Sequence, residues 1–174
     1  MSAATSPTLE LADIQGGILR GYGSPFATYL TIRTTGDDAA RAWLAALADD
    51  VTTAEPWSAG KPELAVNVAL TATGLDALGV AADGFPDEFR AGMAERASRL
   101  GDDGDNAPEH WEEGLRGVGE GHVLVTVAAR YEGDDNARCD ALIADLRSRG
   151  AGEVIHRQDT ALLPCPFHFQ LPHC

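Results

Sequence analysis

Residues 122–131 (HVLVTVAARY) put Val123, Val125, Val127 and Ala129 on one side of an extended chain, and β-branched residues dominate the run, so this is the clearest strand in the sequence. Residues 26–33 repeat the pattern: Phe26, Thr28, Leu30 and Ile32 share one face, and Ala27, Tyr29, Thr31 and Arg33 share the other. Val66, Val68 and Leu70 alternate in another strand, and residues 153–163 begin as a further one. Two helical patterns lie between these strands. Asp37 and Asp38 open the first, where carboxylates suit the positive end of the dipole, and Ala40, Trp43, Leu44, Leu47 and Val51 make its apolar stripe. Residues 135–150 form the second, with Cys139, Leu142, Ile143 and Leu146 as the stripe, Arg147 and Arg149 near its negative end, and Gly150 placed to cap it. Between the second and third strands, Thr73, Gly74 and Leu75 start a helical turn ending near Gly79, and residues 86–99 read as one helical segment opened by Pro86, Asp87 and Glu88. The order β-α-β, helical insert, β-α-β predicts an α+β fold of the ferredoxin-like split βαβ type, one antiparallel sheet with two helices on one face.

Composition narrows the function classes. With 174 residues the chain has room for one domain plus a tail, and a chain of this size buries roughly 70% of its unfolded surface. The net charge of −14 would be repelled by nucleic-acid phosphates and by anionic membranes. No uncharged apolar run approaches about 18 residues, and residues 1–11 lack the basic and apolar stretches of a signal peptide. Three cysteines do not make a disulfide framework, so a reducing, cytoplasmic compartment is expected.

Several segments in order and at consistent spacing carry a resemblance. They are residues 13–23 (DIQGGILRGYG), 39–47 (AARAWLAAL), 51–62 (VTTAEPWSAGKP), 66–79 (VNVALTATGLDALG), 85–101 (FPDEFRAGMAERASRLG), 108–114 (PEHWEEG) and 154–159 (VIHRQD). Together they resemble the N-terminal half of the DyP-type, dye-decolourising haem peroxidases. The resemblance implies two ferredoxin-like halves, with haem b held mainly by the second. It also implies peroxide reduction coupled to oxidation of dyes and other organic donors. That chemistry needs an axial His on the haem iron and a distal Asp and Arg. In the family the distal Asp stands in a His-Phe-Gly-Phe-x-Asp-Gly segment. Here His168 and Phe169 are followed by Gln170, Leu171, Pro172, His173 and Cys174, with no such Asp. No catalytic residue is therefore carried over, and the chain alone is expected to bind no haem and to be inactive. Residues 1–163 are expected to be the domain and residues 164–174 an atypical tail, with a frameshift or truncation near Pro164 as the working explanation. The surface that the second half would cover is expected to promote self-association. The alternative is a non-catalytic ferredoxin-like binding or self-association module.

The remaining chemistry-bearing residues each carry a bland reading beside a sharp one. Cys165, His168, His173 and Cys174 (C-x2-H-x4-H-C) have the residue types of a zinc site, but adjacent ligands at a free end need a tight local loop, and no metal site is expected. His156 could ligate haem in a stand-alone binder; a lone strand His is more often structural. His110, beside Trp111, and His122 read as turn or packing residues, and Cys139 as a small buried hydrophobe. Asp102, Asp103 and Asp105 with Glu113 have part of a calcium-loop spacing, but Ala107 stands where the turn needs Gly, which favours a solvated acidic loop. The glycines of residues 16–23 lack the spacing and lysine of a nucleotide loop. Trp43 and Trp57 read as core or contact residues.

Overall fold

The computed structural model describes residues 9–112, 114–115 and 120–163. The zinc-type cluster at residues 165–174, and Glu113 of the acidic loop, lie outside them. In chain order the elements are a helical turn α1 (Gly16–Leu19), β1 (Phe26–Thr34), α2 (Asp38–Ala48), β2 (Leu64–Leu70), α3 (Ala72–Ala77), α4 (Asp87–Glu95), α5 (Ala97–Leu100), β3 (Val123–Ala129), α6 (Asp134–Ser148) and β4 (Gly152–Ala161). Every strand pairing is antiparallel, and the sheet order is β2-β3-β1-β4. That order is the ferredoxin-like arrangement expected from the sequence.

Period-two alternation builds the core. Leu30 and Ile32 of β1, Val66 of β2, and Val123, Val125 and Val127 of β3 turn to one face. There they meet Trp43 and Leu47 of α2 and Cys139, Leu142 and Leu146 of α6. The helices begin and stop where local chemistry dictates. The Asp37 carboxylate accepts from the Ala40 amide at 3.0 Å and caps α2. That bond and the Thr35 hydroxyl hold the Asp37 carboxyl below its ordinary pKa, the hydroxyl contributing most. Gly150 (φ 64°) follows α6, and Ala151 closes the turn onto the Leu146 carbonyl at 3.1 Å.

Three boundaries depart from the sequence pattern. Val51 was placed on the α2 stripe, but the helix ends at Ala48 and Val51 lies in the turn beyond it. Residues 86–99 are not one helix: Gly92 leaves helical geometry (φ 71°, ψ −176°), and Arg96 separates α4 from α5. A glycine reaches that backbone region without steric cost, and no core partner holds the segment straight. α3 starts at Ala72, one residue early, because the Thr71 hydroxyl accepts from the Gly74 amide at 3.0 Å. No helix among the described residues is long and apolar enough to cross a membrane.

Candidate functional site

The sheet face opposite the helices is only partly covered: Ala65 is buried, Gly17 lies against Asn67, Gly114 against His156 and Gly121 against Thr31, and the rest is open. By register it carries Ala27, Tyr29, Thr31 and Arg33 of β1, Leu124, Thr126 and Ala128 of β3, Ala65, Asn67 and Ala69 of β2, and Glu153, His156, Gln158 and Thr160 of β4. The chain holds 27 acidic residues, and Glu153, the register partner of Arg33, is the carboxylate among these positions. It stands at one corner of the face, where Arg33 bonds it at 2.7 Å and meets Glu120 at 3.3 Å. Tyr29 and Leu124 remain 36% and 37% exposed near the middle of the face. A half-wet sheet face whose centre, around Tyr29, Leu124 and Thr126, carries no charge in so acidic a chain is the pattern of a surface meant to be covered.

The segment at residues 13–23 closes one edge of this sheet instead of binding a nucleotide. The Gln15 side-chain amide pairs with both backbone groups of Val68, donating to its oxygen at 2.7 Å and accepting from its nitrogen at 2.8 Å. Thr52 pairs with Val66, its backbone amide donating to the Val66 oxygen at 3.0 Å and its hydroxyl accepting from the Val66 nitrogen at 3.2 Å. The outward hydrogen-bonding groups of Val66 and Val68 are thereby satisfied, which protects the middle of this edge strand from pairing with another chain. Gly16 is required for this: a Cβ there would meet the Tyr22 Oη at 2.8 Å and the Thr53 carbonyl at 2.9 Å. Trp57 packs beside this segment, stacked on Tyr22 with centroids 5.6 Å apart and lying under the Arg20 guanidinium. Trp43 is in the core, as read from its helical stripe.

A polar cluster sits at the other side of the sheet, between β1, β4 and the start of α6. The fully buried Thr28 hydroxyl lies 2.8 Å from Asp159 Oδ1 and 3.0 Å from Asp135 Oδ2. Arg157 bonds Asp159 at 3.1 Å and Asp140 at 3.0 Å, and it also reaches Asn136. The Thr28 hydroxyl first, and then Arg157, hold the Asp159 carboxyl below its ordinary pKa against the cost of burial. Burial works against the Arg157 charge, but the bonds to Asp140 and Asp159 outweigh it and its pKa is raised. Nothing in the sequence pattern pointed to this cluster, since Thr28 alternates with apolar residues and Asp135 reads as a helix-start carboxylate. Its geometry locks the register of β1 against β4 just beyond the bulge at Thr31 and Ile32.

The described histidines are dispersed. His110 is exposed in a short turn. His122 accepts from the Thr34 amide at 3.1 Å through Nδ1, so it ties β3 to β1. His156 lies 3.4 Å from Glu112 at a position 14% exposed, with Gly114 folded against its Cβ. Asp102, Asp103 and Asp105 lie on a loop that contains a 3-10 turn, and among the described residues no three His, Cys, Asp or Glu side chains gather to hold a metal.

Cys139 is fully buried, and burial pushes its thiol up to about 11. Its folded pKa lies above the unfolded value of about 8.5. The stability it contributes is therefore complete below that value and is lost as pH rises through about 11. At pH near 8, iodoacetamide should label Cys139 only in urea, as peptide mapping would record. Equal labelling of the native and unfolded chains would reject this burial.

Comparison with known proteins places these features. Residues 13–160 match the domain described as the DyP dimeric alpha+beta barrel domain. The chain is similar to "Peroxidase 2" of Mycetinis scorodonius, with 34% identity over 122 residues, covering 68% of this chain and 23% of that protein. It is similar in structure to a decolorizing peroxidase of Auricularia auricula-judae (TM-score 0.78, 20% identity, 91% of this chain and 35% of that one). It is also similar to a DyP-type peroxidase of Anabaena sp. (TM-score 0.76, 24% identity, 90% and 36%). The chain thus spans about a third of the solved structures and about a quarter of the curated relative. It belongs to the DyP-type peroxidase family and corresponds to the N-terminal part of its members.

Proposed function

We propose that this chain serves as the N-terminal half of a haem-dependent peroxidase, in which peroxide is reduced while dyes or other organic donors are oxidised. In this reading the open sheet face around Tyr29 and Leu124 is the surface on which the haem-holding half packs. The observation that carries it is the match of residues 13–160 to a barrel domain of which this sheet supplies one side. Cytoplasmic residence belongs to the same reading and draws on Cys139, a free and buried thiol.

Haem, when bound, supplies the redox chemistry of such an enzyme. The described residues do not fit it. In peroxidases the axial ligand is a His, which needs an open nitrogen beside a cavity. His122 Nδ1 is engaged by a backbone amide, His156 lies under Gly114 beside Glu112, and His110 stands on an exposed turn. Two surface hollows, of about 640 and 520 Å³, are lined by residues 9–13 with Glu55 and Pro56, and by residues 12–15 with the α2–β2 edge, and neither lining contains a histidine. The chain by itself is therefore proposed to give no turnover. Titration with hemin should produce no stoichiometric Soret band, and peroxide with a dye should give no oxidation above free hemin. A one-to-one band accompanied by dye oxidation would overturn the reading.

A further inference from the structure

We infer that the Asp135 carboxyl is neutral in the folded chain and that its proton clasps β1, β4 and α6 together: Asp135 Oδ2 donates to the Thr28 hydroxyl, and the Thr28 hydroxyl donates to Asp159 Oδ1.

Counting hydrogens carries the inference. Thr28 Oγ1 lies 3.0 Å from Asp135 Oδ2 and 2.8 Å from Asp159 Oδ1, both within hydrogen-bond distance. A hydroxyl has one hydrogen to donate, and an ionised carboxylate has none. Two ionised carboxylates would compete for that hydrogen, and one of the two contacts would set oxygen lone pairs against each other. One further proton gives each contact its own hydrogen.

Burial assigns that proton. Asp159 is half exposed and bonded by Arg157 at 3.1 Å, so its charge is both hydrated and paired. Asp135 is 3% exposed, and its Oδ1 is buried with no partner among the described residues. Arg157 directs its donors to Asp159, Asp140 and Asn136 instead. An ionised Asp135 would therefore be a desolvated charge sharing a single hydrogen. Its place at the start of α6 favours a negative charge, but only weakly against such burial. The remaining titratable groups around the cluster are Asp134, Cys139 and Asp140 of α6. β1 contributes only Thr28, and the register partner of Thr28 on β3 is Val127.

The clasp depends on pH. Free aspartate, with a pKa of about 3.9, is ionised near neutrality, so the folded chain there holds one proton more than the unfolded chain. The stability that Asp135 contributes is complete below that value. It falls as pH rises, by a factor of about ten in the folding constant per pH unit, until the folded chain also releases the proton.

Urea unfolding of the native chain and of Asp135→Asn at about pH 5.5, 6.5 and 7.5 tests this, because asparagine supplies an Nδ2–H in place of the acid hydrogen and does not titrate. The ratio of variant to native folding constants should rise about tenfold per pH unit, since the histidines titrate alike in both chains and cancel. A second measurement needs no variant. Near pH 7 exposed carboxyls are ionised, so the infrared spectrum of the folded native chain should show the carbonyl stretch of a protonated carboxyl, and thermal unfolding should remove it. Asp159→Asn should keep that band and Asp135→Asn should lose it. If Asp135→Asn fails to fold, the native band and its survival in Asp159→Asn decide the matter. A pH-independent ratio, a native chain without the band, or a band that Asp159→Asn removes or Asp135→Asn retains would each overturn the inference. None of these outcomes bears on the peroxidase reading, which the hemin titration decides separately.

Discussion

Replacing Trp43 by alanine will lower the stability of this domain by about 3–5 kcal/mol, the range for removing a buried tryptophan from a packed core. Trp43 is 1% exposed and stands at the junction of α2 with the sheet, in the cluster that holds Leu30, Ile32, Val66 and Val125. A domain of this size has only about 5–15 kcal/mol of net stability, so the variant should unfold at far lower urea concentration. The indole nitrogen of Trp43 is buried and has no hydrogen-bond partner among the described residues. Trp43→Phe removes that unsatisfied donor together with part of the ring, so the two effects oppose each other and its loss should be much smaller. Urea unfolding followed by circular dichroism distinguishes the two variants. Equal losses would show that the indole volume is not what the core depends on.

Thr28→Val is the second substitution with a large expected effect, because it changes almost no volume. It removes the hydroxyl that lies between Asp159 and Asp135. Asp135 is 3% exposed and its other oxygen, Oδ1, has no partner among the described residues. The valine leaves that buried carboxyl without a hydrogen bond, at a cost of about 2–3 kcal/mol. Asp159 is half exposed and keeps Arg157, so it adds little. The double variant Thr28→Val/Asp135→Leu should recover part of the loss, since replacing both members of a buried polar pair by apolar groups is nearly neutral. A double variant less stable than Thr28→Val alone would contradict this account. The Asp159 contribution has its own pH dependence. Its folded pKa is lowered, so the stability it adds is present above the unfolded carboxylate value of about 3.9 and is lost as pH falls through the folded value.

The polar cluster shows why part of this protein was not legible in one dimension. Thr28 sits in an alternating strand where the pattern assigns it to the core, and it is there. The pattern does not reveal that Asp135 and Asp159, 107 and 131 residues away, share its hydroxyl. The same holds for Gln15. Its place in a glycine-rich run suggests close backbone approach, but its role as a surrogate strand residue for Val68 follows only once β2 is an edge. Conversely, residues 86–99 had a good helix pattern and were split at Gly92, because no apolar stripe there is anchored by a core.

Local chemistry written in the chain determined the strands, the capping of α2 by Asp37, the termination after α6 at Gly150, and hence the α+β order. These features depend on near neighbours: side chains two or four residues apart, or one residue's own φ and ψ. The order of residue types also identified the family, since the motifs are linear. Tertiary structure alone decided which face of the sheet is left open, that its centre around Tyr29, Leu124 and Thr126 is uncharged in a chain of net charge −14, and which distant groups meet at Thr28. The physical reason is that those properties belong to the strand order β2-β3-β1-β4, which brings β1 between its two distant partners and is set by the packing of both helices on a single face.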